Sequence, residues 1–200
     1  MITDQVFKAF ANVLSQRLRA GAFTTEDGVR YAFADALLQE KFCAREDIVP
    51  EHRHPVFERK ALDLLIAQCP GRAAVACEFK YDRAIPSGRN MPRPQHAGAI
   101  FKDLFRLARI PAELAGERLF IYLTDSEMAS YLANPGNGLT RFYDLPVGVT
   151  MPLDQAFVQR HSATFIKATA GLALPCRVTG AFQAELAGSH SLRIWRVEQA

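Results

Sequence analysis

The stretch ALDLLIAQCPGRAAVACEFKYD, residues 61–82, constrains the fold more than any other part of the chain. Two short apolar runs flank a Pro-Gly pair, which reads as two buried strands joined at a turn. They span about Lys60 to Ala67 and Ala73 to Tyr81, and Pro70-Gly71 suits a type II turn. Three charged side chains, Asp63, Glu78 and Lys80, interrupt these runs. Side chains alternate faces along a strand, so Val75, Cys77, Phe79 and Tyr81 share one face while Ala76, Glu78 and Lys80 share the other. Asp63 falls with Ala61 and Leu65. A hairpin centred between Pro70 and Gly71 sets Asp63 opposite Glu78, with Cβ atoms about 4.5–5.5 Å apart.

Two opposed carboxylates in an apolar setting repel each other, and burial worsens the repulsion. Lys80 supplies one compensating charge. A divalent metal compensates better, because Mg²⁺ takes oxygen ligands and is held by one or two carboxylates together with water and phosphate. Glu26 is a fourth candidate. It shares a helical face with Val29, Phe33 and Leu37, which points it inward. It either joins the metal shell or is a first-turn acid favoured by the helix dipole.

Around this centre the chain reads as alternating helices and strands. MITDQVFKAFANVLSQRLRAG is an amphipathic helix with Phe7, Phe10, Leu14 and Leu18 on one face. A second helix begins after Gly21, with Thr24 as its expected N-cap and Asp27 three residues on. EDIVPEHRHPVF reads as an irregular or edge strand because of its prolines. QHAGAIFKDLFRLARI is a helix with Ile100, Leu104 and Leu107 inward, stopped at Pro111. ERLFIYLTD is a buried strand, and SEMASYLAN is a short helix ended by NPGNG. TFIKAT, CRVTGAF and HSLRIWRVE suggest further strands, and Trp195 is expected in the core. The sum is one mixed α/β domain over residues 1–200.

The pattern resembles the PD-(D/E)XK nuclease superfamily, whose fold is the restriction-endonuclease-like one. The resemblance rests on a helix carrying Glu26, an acid at Asp63, and EFK as the ExK motif at Glu78 and Lys80. A helix and a buried strand follow, completing an αβββαβ core over about Thr24 to Asp125. Leu62 stands before Asp63, so the superfamily's proline-aspartate pair is absent, and the C-terminal 75 residues fall outside the match. The resemblance implies an α/β fold with a mixed central sheet flanked by helices, elaborated by extra C-terminal strands. It implies a Mg²⁺-dependent phosphodiesterase, with Mn²⁺ as a substitute, acting on nucleic acid and chiefly DNA. Asp63 and Glu78 would hold metal, with Glu26 beside them. Lys80 would orient the water and stabilise charge on the phosphorane. A homodimer is a further implication, since cutting two strands commonly needs two copies.

The surroundings supply groups for a polyanion. Arg83, Arg89 and Arg93 lie in or beside the Pro/Gly-rich segment after the ExK strand, in reach of phosphates if that loop folds over the site. Lys102, Arg106 and Arg109 recur on one side of the next helix as a basic stripe near the site, although a solvated helix face is the more frequent explanation of such spacing. Gln95 and His96 open that helix and are candidate phosphate contacts through its N-terminus. His52 and His54 share a strand face at a spacing zinc uses, but no further ligand completes such a site. The net charge of +3 is mild, and alone it demands no polyanionic partner.

The remaining features narrow the class. No GxSxG, P-loop or GxGxxG occurs. The four cysteines form no CxxC pair, which fits a reducing compartment. No run approaches the roughly 18 apolar residues of a membrane span. A cytoplasmic protein without membrane attachment is expected. Beside the active nuclease stand two alternatives: a catalytically silent member of the same fold that binds nucleic acid or protein, and a hydrolase of another phosphoester.

Overall fold

The computed structural model describes residues 1–22, 24–83, 92–171 and 175–200. Its centre is a seven-stranded mixed sheet with helices on both faces. The strands are β1 (Ile48–Arg53), β2 (Ala61–Ile66), β3 (Val75–Asp82), β4 (Glu117–Thr124), β5 (Thr150–Leu153), β6 (Cys176–Leu186) and β7 (His190–Gln199). They lie in the order β1-β2-β3-β4-β7-β6-β5. Only β3 and β4 run parallel, and the crossover between them is the helix α3 (Arg93–Ala108). A parallel pair needs such a crossover, whereas antiparallel neighbours can close through short connections, as β2 with β3 and β6 with β7 do.

One face is covered by α1 (Asp4–Arg19) and α2 (Glu26–Gln39). Phe7, Phe10, Leu14 and Phe33 pack there on Cys77, Phe79, Leu119, Ile121 and Ile194. Of the expected apolar face of α1, Leu18 alone is only half-buried. The other face is covered by α3 and by α4 (Ser126–Ala133), α5 (Thr140–Tyr143), α6 (Gln155–Gln159) and α7 (Ala163–Thr169). Trp195 is buried there, stacked on Phe142 at 4.5 Å between ring centroids. Ile100, Leu104 and Leu107 of α3 are fully buried, as the helical spacing predicts.

The expected hairpin register holds as far as Leu64–Cys77, and the ladder ends one pair short of the expected pairing of Asp63 with Glu78. Leu64 pairs with Cys77, Leu65 with Ala76 and Ile66 with Val75, closed by a Cys69–Arg72 bridge around Pro70-Gly71. Gly71 sits at φ 81°, the left-handed conformation that the third position of a type II turn requires. β1 is the edge strand expected from its prolines.

Three local expectations are corrected. The N-cap of α2 is Thr25, whose hydroxyl accepts from the Gly28 N–H at 3.2 Å; the Thr24 hydroxyl instead donates to the Ala22 carbonyl. TFIKAT is helical, as α7, because Ser162 caps it and Phe165 and Thr169, four residues apart, both turn inward. His54 does not share a strand face with His52. It lies past the end of β1 and is buried, its Nδ1 accepting from the Val56 and Phe57 N–H groups and its Nε2 lying 3.2 Å from the Arg106 carbonyl.

Candidate active site at the fork of two strands

β2 and β3 pair only through Leu64–Ile66 and Val75–Cys77, and then part. Beyond Cys77 the N–H groups of β3 that faced β2 have no strand to bond, and buried backbone donors need partners. Carboxylates supply them. Asp63 Oδ2 accepts from the Phe79 N–H at 2.7 Å, and Glu26 Oε2 accepts from the Tyr81 N–H at 3.2 Å. The fork thus gathers Asp63 from β2, Glu26 from α2, and Glu78 and Lys80 from β3.

Each charge has a counterpart, with one exception. Lys80 Nζ lies 3.3 Å from Glu26 Oε2, and Arg30 Nη2 lies 3.4 Å from Asp63 Oδ1. Arg30 also meets Asp27 and Glu51, each at 3.3 Å. Asp103 of α3 pairs with Arg106 one turn further on. Glu78 is the exception: it is 3 % exposed, and its Oε1 is buried with no hydrogen-bond partner.

The titration behaviour follows from this crowding. Burial pushes the Glu78 carboxyl well above 4.5, with Asp63 and Asp103 pushing the same way. Burial also raises Asp103, against Arg106 and Lys80. Glu26 is raised by burial more than Lys80 lowers it. Burial works against the Lys80 charge, yet Glu26, Asp103 and Asp82 outweigh it and lift the amine above 10.5. Lys80 is therefore an ammonium at neutral pH.

A divalent metal fits this donor set. Asp63 and Glu78 offer hard oxygen donors, and the orphaned Glu78 Oε1 is the kind of atom a cation would satisfy. Among the described residues no three His, Cys, Asp or Glu side chains converge into a ready cage. Two carboxylates meet the protein's share of a Mg²⁺ shell that water and phosphate complete. Glu26 does reach the site, but against Lys80 and the Tyr81 N–H.

The expected nucleic-acid contacts fare differently. Arg93 pairs with Glu127 of α4, and Gln95 is exposed at the start of α3. Lys102 is half-buried on α3, while Arg106, on the same side, is turned to Asp103 and acts on Glu78. Arg83 lies just past β3, and Arg89 lies outside the described residues. His96 Nδ1 sits 2.9 Å from Asp82 Oδ1, and the Tyr122 hydroxyl donates to Asp82 Oδ2 at 2.9 Å.

Sequence reasoning missed Arg30, Asp82, Asp103 and Tyr122. Two of them carried a legible signal. Arg30 follows Glu26 by one helical turn, and Asp103 shares the inward stripe of Ile100, Leu104 and Leu107. Compared with protein-family models, with curated proteins and with solved structures, the chain finds no match.

Proposed function

We propose that the protein is a metal-dependent nuclease that hydrolyses phosphodiester bonds, with DNA as the first substrate class to test, and that it is a member of the PD-(D/E)XK superfamily. The observation that carries this reading is the fork itself: Asp63 and Glu78 meet where β2 and β3 part, Glu78 keeps an unpartnered buried oxygen, and Lys80 stands two residues along the same face. The element order α2-β1-β2-β3-α3-β4 is in keeping with it.

In this reading Asp63 and Glu78 hold Mg²⁺ or Mn²⁺, which when bound supplies Lewis acidity and an activated water. Asp63 is kept in place by the Phe79 N–H and Arg30. Lys80, charged at neutral pH, faces the phosphate and stabilises negative charge as it develops. Glu26 positions the Lys80 amine. Arg83, Arg93, Gln95 and Lys102 are candidate contacts to flanking phosphates.

A second reading, a silent binding module of the same fold, is favoured by one observation. Lys80 and Asp63 are already neutralised by Glu26 and Arg30 within the protein. One experiment separates the two. Plasmid, linear duplex, single-stranded DNA and RNA are incubated with Mg²⁺, Mn²⁺ or EDTA, with Lys80→Ala beside the wild type. The nuclease reading expects metal-dependent cutting that falls by about 100-fold or more in the variant. Nucleic-acid binding without cutting under any metal condition would favour the silent module.

A further inference from the structure

Beyond the metal carboxylates and Lys80, one more group at the fork is built for chemistry. Asp82 follows Lys80 on the same strand face and is 4 % exposed. Both its oxygens are engaged: Oδ2 by the hydroxyl of the fully buried Tyr122, and Oδ1 by Nδ1 of His96. His96 stands in the first turns of α3, and its side chain is 29 % exposed. The Asp82 bond fixes one ring nitrogen inward as the proton donor. The other, Nε2, has no hydrogen-bond partner among the described residues. A buried carboxylate orienting an imidazole in this way sets its tautomer and stabilises its charged form.

We infer that His96, held by the Asp82–Tyr122 pair, is the general acid of the phosphodiester cleavage, donating its Nε2 proton to the leaving oxygen. This rests on the phosphodiesterase reading above. Water attacks phosphorus and gives up one proton to bulk solvent, while the bond from phosphorus to the leaving oxygen breaks. The electron pair stays on that oxygen, which takes the Nε2 proton, and the neutral imidazole regains a proton from solvent.

Two features favour proton donation over a phosphate clamp. An imidazolium beside Asp82 forms a pair of no net charge, which is a weak anchor for an anion but a ready donor. The hydrogen bond to Asp82 raises His96 above 6.5, against burial and the nearby Lys80, which favours the protonated form that a general acid needs. The groups facing it are Asp82 and Lys80 of β3 and, through Asp82, Tyr122 of β4. Arg93, on its own helix, is taken up by Glu127 of α4.

The test compares a DNA oligonucleotide with a nucleoside 5′-(4-nitrophenyl) phosphate, whose nitrophenolate leaves without protonation. For H96Q the expected result is a loss of about 100-fold or more in kcat/KM on DNA. The nitrophenyl ester should be cleaved at close to the wild-type rate. D82N should show the same split, and in wild type the alkaline limb of the DNA pH profile should report His96. Equal losses on both esters, with H96Q melting as wild type does, would overturn the inference and leave the nuclease reading standing. Should wild-type protein cleave neither ester under any metal condition, the reading and the inference fall together.

Discussion

Glu78 sits in surroundings that an isolated carboxylate would not tolerate. It is held almost out of water, next to Asp63 and Asp103, with one oxygen unsatisfied. Its carboxyl is raised in the folded protein, so the native state prefers the protonated form. Its ionisation therefore subtracts stability as pH rises from about 4.5 through the folded value, and the full deficit is present above that value. Replacing it with Gln should remove the deficit. Denaturation in EDTA is expected to find E78Q more stable than wild type by on the order of 2 kcal/mol at neutral pH, with the gain shrinking towards pH 4.5. Added Mg²⁺ should stabilise wild type and leave E78Q unmoved. A variant less stable than wild type at neutral pH would mean that the carboxylate is satisfied by the fold.

At the scale of elements, the fork depends on what does not pair. β3 keeps β4 along its whole length but loses β2 after Cys77, and the carboxylates of Asp63 and Glu26 take over the freed N–H groups. The other side of the site depends on α3, which carries Asp103, Arg106 and His96 against β3. α3 is pressed onto the sheet by α7, and their contact is close enough to require glycine. A Cβ on Gly98 would stand 2.5 Å from that of Ala168. Alanine favours a helix over glycine by roughly 0.5–1 kcal/mol. The clash should outweigh that gain, so G98A is expected to lose about 1–2 kcal/mol in chemical denaturation. Adding A168G should recover most of the loss. Additivity of the two substitutions would show that the helices do not meet there.

At the scale of the whole molecule, a partly buried ion pair ties the N-terminal segment to the middle of the sheet. Glu117, at the start of β4, accepts from the Ile2 N–H at 2.7 Å and from Arg196 Nε of β7 at 2.9 Å. Arg196 in turn donates to the Ile2 carbonyl at 3.1 Å. This clamp seats α1, whose Val6, Phe7 and Phe10 cover the sheet. Removing Glu117 leaves the buried Ile2 N–H without its acceptor and the Arg196 guanidinium without its carboxylate. E117A is expected to cost about 1–3 kcal/mol, with hydrogen exchange quickened in α1 before the rest of the chain. Uniform quickening would place the loss in the sheet. No helix among the described residues is long and apolar enough to cross a membrane.

The sequence by itself determined the elements whose side chains follow one period. The faces of α1 and α3, the Pro-Gly turn and the register that pairs Leu64 with Cys77 were all legible, because alternation and turn chemistry are local. TFIKAT was not. Its β-branched residues suit a strand, and only the Ser162 cap and the surface of α3 make it a helix. Only the tertiary structure decided which charges meet. Lys80 pairs with Glu26, Arg30 with Asp63, and His96 with Asp82 across 54, 33 and 14 positions of chain respectively. A charge in a sequence announces that a partner is needed, but which partner it finds depends on how the sheet and helices bring distant segments together.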